Sequence, residues 1–451
     1  MKEMKTVYTF LLGSLLLITA CDNDLDQFPP NIASSDSLED FTGVLNAAYF
    51  YQHGSVTPIA VMGDFRADNA LMEEEPFPEF DRFGPDLVVM EDQFFGPFYT
   101  ALYRSIISAN NVIENSSNAT HIGEAKFLRA LSYFKLVMVF GDVSVILDVP
   151  NIESIPTFDV ARQPADDVYN TIIIPDLQDA IAALSTEIIN GRASRYAAQG
   201  LLGKVYVHRG DFSSAEPHLA AVVDGAAAAG ISLQENFGDI FGVDNDLNPE
   251  IIFSTQISSS VVDEYTFSEF WSWSGGLDTK SLLPLDPDLI AAFDAVAGDI
   301  IQAGDTLDLR RAVTIDENIM ASPKFPQTGG PDHDWIEMRL ADVILLYAET
   351  LNENGASAEE VLDLLDPLRA RAGLTALDHT VLNTQALVRQ AIQDERRLEL
   401  AFEGHRWFDL VRTGTVDAEM GQTINSDYHL FPVPISEVLA SDGVITQNPG
   451  Y

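Results

Sequence analysis

The chain has 451 residues, 46% of them hydrophobic, so it is long enough to bury a large core. It carries 69 Asp and Glu against 25 Lys and Arg, a formal charge of −44, which argues against nucleic acid or a generic acidic membrane surface as a partner. A single cysteine excludes an internal disulfide.

The first residues read as an export signal. Lys2 and Lys5 precede an apolar run from Val7 to Ile18, and Ile18-Thr19-Ala20 leads into Cys21. Such a run is short for a membrane span, and small residues before a Cys have the form of a bacterial lipobox. Residues 1–20 are therefore expected to be a lipoprotein signal peptide. Cys21 is expected to become the acylated N-terminus, an anchor that does not cross the membrane. Residues 21–35 follow as an acidic tether. Asp22, Asp24 and Asp26 lack the Gly turn and distal Glu of a calcium loop.

Residues 36–50 have the pattern of a capped amphipathic helix, with Asp36 and Ser37 ahead of Leu38, Phe41, Val44, Leu45 and Ala48. A loop-rich stretch over 51–97 contains Asp64, Arg66, Asp68 and Asn69, then Phe77, Phe80, Phe83, Phe94 and Phe95 among prolines. Helical spacing returns at Phe98 to Ile113. It returns again at Phe127, Leu128, Leu131, Phe134 and Val137, where Gly141 ends the helix. A helix over 162–184 is interrupted at Pro175. Residues 198–222 place Leu202, Gly203, Tyr206, Gly210, Phe212 and Ala215 in the tetratricopeptide register. Gly203 and Ala215 then allow two helices to approach while Tyr206 and Phe212 fill the space between them. Such a pair needs others stacked on it, and the helices near 36–50, 98–140 and 340–370 are candidates. Glu250 to Gln256 reads as a strand. A stretch rich in Gly, Pro, Ser and Asp follows to residue 334, and a stretch of that length without regular structure is usually functional or disordered.

Near the end, Asp394 to Arg412 holds two short apolar stripes: Leu398, Ala401 and Phe402, then Trp407, Phe408 and Val411. Asp394/Arg397, Glu403/Arg406 and Asp409/Arg412 stand at the spacing of pairs on one helix face, and Gly404 separates the halves. Dense Glu, Arg and His can suggest an active site. Half-buried ion pairs on a packing helix account for the same residues, and Trp407 is expected to be largely buried.

This segment resembles the C-terminal signature of the SusD/RagB-like outer-membrane nutrient-binding lipoproteins of Bacteroidetes. Arg66-Ala67-Asp68-Asn69, Gly123 to Val143, Arg369 to Leu374 and the ending Gln447-Asn448-Pro449-Gly450-Tyr451 resemble further blocks of that family, in the same order. Ser144 and Asp366 stand where the family usually has Pro and Asn. The resemblance runs from the lipobox to the last residue. It implies a mainly all-α fold, a superhelix of tetratricopeptide-like helix pairs in one domain over 36–451, with a loop-rich ligand-binding half containing short strands near 257–334. It also implies that the signature is scaffold. The function it implies is non-catalytic binding of a polysaccharide or oligosaccharide at the outer membrane, on the cell surface, and delivery to a SusC-like TonB-dependent transporter. No cofactor is implied.

The eight histidines are scattered without zinc-helix spacing, and no phosphate loop or nucleophile elbow is present. With 69 acids, any pair proposed as a glycosidase dyad carries almost no information. A lipid-anchored glycoside hydrolase of helical toroid fold, or a binder of peptide or another nutrient, are the alternatives. Trp271 and Trp273 sit two apart in a polar, Gly-rich setting, so in a strand they share one face and offer sugar rings a platform. Burial of both in the core is the competing reading, since Trp is highly buried on average. Tyr265, Phe270 and Asp278, with Asp64 and Arg66 from the earlier loop, are further candidates for that surface, and Phe77 to Phe95 is the fallback.

Overall fold

The computed structural model describes residues 38–71, 75–149, 159–189, 191–258, 285–296, 308–318, 320–325 and 333–451. The principal helices are α1 (Thr42–Phe50), α2 (Gly96–Asn115), α3 (Ala119–Phe140), α4 (Ile174–Ala183), α5 (Arg195–His208) and α6 (Phe212–Gly225), then α7 (Leu340–Glu353), α8 (Gln385–Leu400) and α9 (Arg406–Thr413). Strands are few. β1 (Val143–Ser144) pairs antiparallel with β2 (Arg162–Gln163), and β3 (Ile251–Thr255) with β4 (Trp335–Arg339).

Packing follows the chain. α1 lies on α2, α2 on α3, α3 on α4, α4 on α5, α5 on α6, α6 on α7 and α7 on α8. Each helix buries its apolar stripe against the next, as in stacked helix-pair solenoids. Residues Phe41–Tyr451 form one compact unit, and the fold is mainly helical, as expected.

Local chemistry explains the boundaries. The Asn118 side chain accepts from Thr120 N and His121 N at 3.0 and 3.3 Å, capping α3. Ser194 caps α5 through Ala197 N, and Asp211 caps α6 through Ser214 N. Between α5 and α6 the close approach is real: a Cβ on Gly203 would sit 2.5 Å from the Leu219 side chain. The filling differs from expectation. Leu202, Val205, Ala215 and Leu219 are fully buried, whereas Tyr206 and Phe212 are half-buried, and Tyr206 stacks on His218 at 5.9 Å. The small residues bring the helices too close for two aromatic rings to stand between them.

Two further boundaries shift. The first helix begins at Thr42, with Phe41 buried ahead of it and no side-chain cap, so Leu38 is outside it; Asp36 and Ser37 lie outside the described residues. At Pro175 the helix widens and continues. A short turn over Ala165–Val168 passes through a π-turn, Tyr169–Ile173, and α4 then carries Pro175 in its first turn. The wide turn accommodates a residue that has no N–H to donate.

Candidate ligand-binding segment and the buried charges that frame it

The loop-rich segment leaves β3 and returns at β4. Thr255 is paired with Trp335, so its two ends are neighbours on the sheet. Asp334 fixes the entrance, accepting from Ile257 N at 2.9 Å and Ser254 Oγ at 3.3 Å. Burial pushes its carboxyl up to about 6. Further along, Leu285 bridges to Ala70, and Asp286 N donates to Asn69 O at 3.1 Å. Tyr265, Phe270, Trp271, Trp273 and Asp278 fall between these anchors, at positions outside the described residues.

At the described ends of this segment lies a buried set of five cations and five carboxylates. Arg339, at the end of β4, donates to Glu250 (2.8 Å), Glu399 (2.6 Å) and both carboxylate oxygens of Glu403 (2.7 and 2.8 Å). Arg310 binds Asp308 (2.7 Å), Glu395 (2.6 Å) and Glu399 (3.0 Å). Arg371 joins Glu250 at 2.7 Å and also Glu399, while Arg369 joins Glu395 at 3.0 Å. Lys324 closes the set on Glu403 and Ala401 O, both at 2.7 Å. All ten residues are buried. Burial alone would raise the pKa of Glu399, but the guanidiniums of Arg371, Arg339 and Arg310 outweigh it and hold the group well below the usual carboxylate range. Glu403 is likewise brought down to about 2, against burial, by Arg339 and Lys324. The set ties both flanks of the loop-rich segment, and two points within it, to α8 and the turn that follows. None of its acids has a free face for chemistry, in keeping with a scaffold.

Of the three local pairs expected in the signature, one forms: Arg412 Nε donates to Asp409 at 2.8 Å. Glu403 turns to Arg339 and Lys324 instead, because the chain breaks from helix between it and Arg406; Phe402 and Gly404 have φ of +66° and +77°. Arg406 and Arg397 both reach Asp68, at 2.7 and 3.0 Å. Asp394 accepts from Gln390.

Asp64 and Arg66 are not ligand-surface residues: both are fully buried. The Asp64 carboxylate accepts from Phe402 N (3.0 Å), Gly404 N (2.6 Å) and Asn69 Nδ2 (2.8 Å), so it caps the break between α8 and α9. Backbone meets backbone there, since a Cβ on Gly63 would fall 2.3 Å from Gly404. Burial pushes the Asp64 carboxyl up to about 6 in spite of these donors. The Arg66 guanidinium lies over Phe83, Trp407 and Phe431 at 5.0, 5.1 and 4.7 Å and donates to Tyr428 O at 2.5 Å. Trp407 has 0% exposure, stacks on Phe83 and donates from Nε1 to His429 O at 3.2 Å. The 64–69 string is thus the docking partner of the signature. The sequence held a signal for this: Asp64 and Asp68 in one family block, Arg397 and Arg406 in the other, and a glycine beside each where the chains must touch.

Aromatic residues in the described chain are buried or half-buried. Among the described residues no Phe, Tyr or Trp is exposed. Phe77, Phe80, Phe94 and Phe95 are buried, and half-buried Phe83 is engaged by Trp407, so the fallback platform is removed. Trp335 is buried at 3%. No group of His, Cys, Asp and Glu among the described residues is arranged to hold a metal ion.

Comparison with known proteins agrees along the whole length. The family described as "Starch-binding associating with outer membrane" matches residues 20–207, and the SusD family matches residues 313–451. SusD-like protein P2 of Formosa agariphila is 25% identical over the full length of both chains. A SusD-like protein of Bacteroides ovatus is 26% identical over 90% of this chain and 82% of its own. A SusD superfamily structure from Bacteroides vulgatus superposes with a TM-score of 0.75 at 20% identity, covering 91% of this chain and 98% of that one. A laminarin-binding SusD-like protein does so at 0.68 and 23%, covering 91% and 99%. With both ends matched by SusD models and the fold shared throughout, the chain belongs to the SusD/RagB family.

Proposed function

We propose that this protein is a cell-surface lipoprotein, acylated at Cys21, that binds a polysaccharide or oligosaccharide without cleaving it and passes it to a SusC-like TonB-dependent transporter in the outer membrane. The observation that carries the reading is the division of labour among aromatic side chains. Those in the described chain are buried or half-buried, with two of the four Trp in the core, which leaves the Tyr265 to Trp273 string as the concentrated aromatic set for a ligand. That string falls between the two stretches matched by the family models, on a segment whose ends the charged frame fixes. Sugar rings stack their C–H faces on such rings. The laminarin-binding protein of like fold supports a glycan as cargo.

The test uses chain lacking residues 1–21 on a glycan array and in affinity gels, with Trp271→Ala and Trp273→Ala beside it. Loss of binding with unchanged melting temperature is expected for at least one variant. Normal binding by both places the platform elsewhere, and release of reducing sugar from the bound glycan identifies a hydrolase. For the anchor, Cys21→Ala is expected to leave the detergent phase of whole-cell extracts. Retention there defeats the lipoprotein assignment.

A further inference from the structure

Away from the loop-rich segment, a cleft of about 60 Å³ enters the core where α3, α5, β4 and α9 meet. Apolar rings form its floor, among them Phe134, Trp335 and Phe408, and half-buried Met138, Lys204 and His208 stand at its mouth. The charged groups on its wall are unevenly committed. Its carboxylates are spoken for: Glu337 by Lys135 and Thr255, Glu403 by Lys324 and Arg339, Asp409 by Arg396 and Arg412. Lys135, Arg396 and Arg412 are committed to them and to neighbouring groups, whereas Lys204 and His208 are less so.

The Lys204 ammonium donates to Asp342 at 3.1 Å and to His405 Nδ1 at 3.4 Å, which leaves one of its three protons. Because Nδ1 accepts, the neutral His405 ring carries its proton on Nε2. Burial, then Lys204, push His405 down to about 3, so it is neutral at ordinary pH. Burial and Arg412 do the same to His208, to about 4. The His208 ring meets the edge of Phe134 at 5.5 Å and makes no hydrogen bond among the described residues. Two imidazoles and an ammonium thus line a small space with N–H groups to give and no carboxylate left to take them.

We propose that this cleft binds a small anion, a carboxylate or a halide, held by the Lys204 ammonium and the ring N–H groups of His208 and His405. The apolar floor suits a compact, weakly hydrated ion and excludes a sugar ring by size. The chain's overall charge of −44 opposes entry, but charges beyond about 8 Å are screened at physiological salt, while the three donors act in contact.

The mature chain, with labelled imidazoles, is titrated with sodium acetate and separately with sodium chloride while the histidine ring resonances are followed by NMR. Exposed His379 serves as the ionic-strength control. His208 and His405 are expected to shift together and saturate, with a Kd of about 1–10 mM. Saturation by acetate alone assigns a carboxylate, and saturation by both salts assigns a general anion site. His208→Phe, read at His405, and Lys204→Met, read at both rings, are each expected to weaken binding at least about tenfold. Should Lys204→Met fail to fold, His208→Phe decides. Unchanged affinity in His208→Phe, or no saturable shift beyond that of His379 up to about 0.2 M salt, overturns the proposal.

Discussion

Glu399→Gln is the sharpest probe of the buried frame. The change keeps the side chain's shape and removes one negative charge from a set where five cations face five acids. Glu399 accepts from Arg310 at 3.0 Å and Arg339 at 2.6 Å, and also from Arg371, with both oxygens engaged. In the variant an amide N–H₂ confronts guanidinium donors, and a buried cation loses its counter-charge. Breaking a buried pair in this way costs about 3–5 kcal/mol, a large share of a typical folding free energy. At roughly 2 °C per kcal/mol for a large domain, the melting temperature falls by about 6–10 °C. The pH dependence adds a second reading. The folded-state pKa of Glu399 is depressed, so its contribution is fully present above the unfolded value and is lost as pH falls through the lower, folded one. Stability curves in urea from pH 7 downward should therefore be shallower in the variant on the acid side. Adding Arg371→Gln restores the balance of charge and should recover part of the loss. A Glu399→Gln protein that melts within a degree of the parent, with the same acid slope, would refute the claim that these charges hold the frame.

Two other outcomes test neighbouring parts. Trp407→Ala should cost about 3–5 kcal/mol through the cavity left beneath Phe83 and Arg66, with ligand binding falling only in step with the folded fraction; normal melting without binding would make Trp407 a ligand residue. Asp64 has the opposite sign to Glu399: its folded pKa is raised, to about 6, so the stability it confers is greatest below its unfolded value and falls as pH rises to 6. Relative to Asp64→Asn, the parent should lose about 2 kcal/mol between pH 4 and pH 7, measured by urea unfolding, and a flat difference would remove the assigned burial cost.

The helices were legible because apolar periodicity records which face is buried. Gly141 ends α3, and the Gly203 and Ala215 register marks a true close pair. Periodicity does not say which face meets which, and that is where the reading went astray. Tyr206 and Phe212 have the size to fill an interior, yet the helices they sit on come too close to admit them. Asp64 and Arg66 lie in a loop and are polar, so exposure was the natural expectation. Their partners, Gly404 and Trp407, stand some 340 residues further along the chain, and nothing local reveals them. Of the three pairs expected within the signature, Glu403/Arg406 failed for a related reason. Spacing of three residues brings side chains together only along an unbroken helix, and the chain turns left-handed at Phe402 and Gly404.

The frame also explains why so acidic a chain keeps its bases where it does. Five of its cations lie in the frame, and Lys135, Arg396 and Arg406 are buried in other ion pairs. Stability alone does not require such an interior, because well-packed apolar residues commonly serve as well as buried ion pairs or better. Ion pairs add direction. A guanidinium that must meet Glu250, Glu399 and Glu403 together fixes the end of β4 against α8 in one arrangement, where an apolar contact would tolerate sliding. Arg310 and Lys324 extend the same constraint into the loop-rich segment. A frame of this kind holds the roots of the loop-rich segment in one register, whatever sequence stands between them.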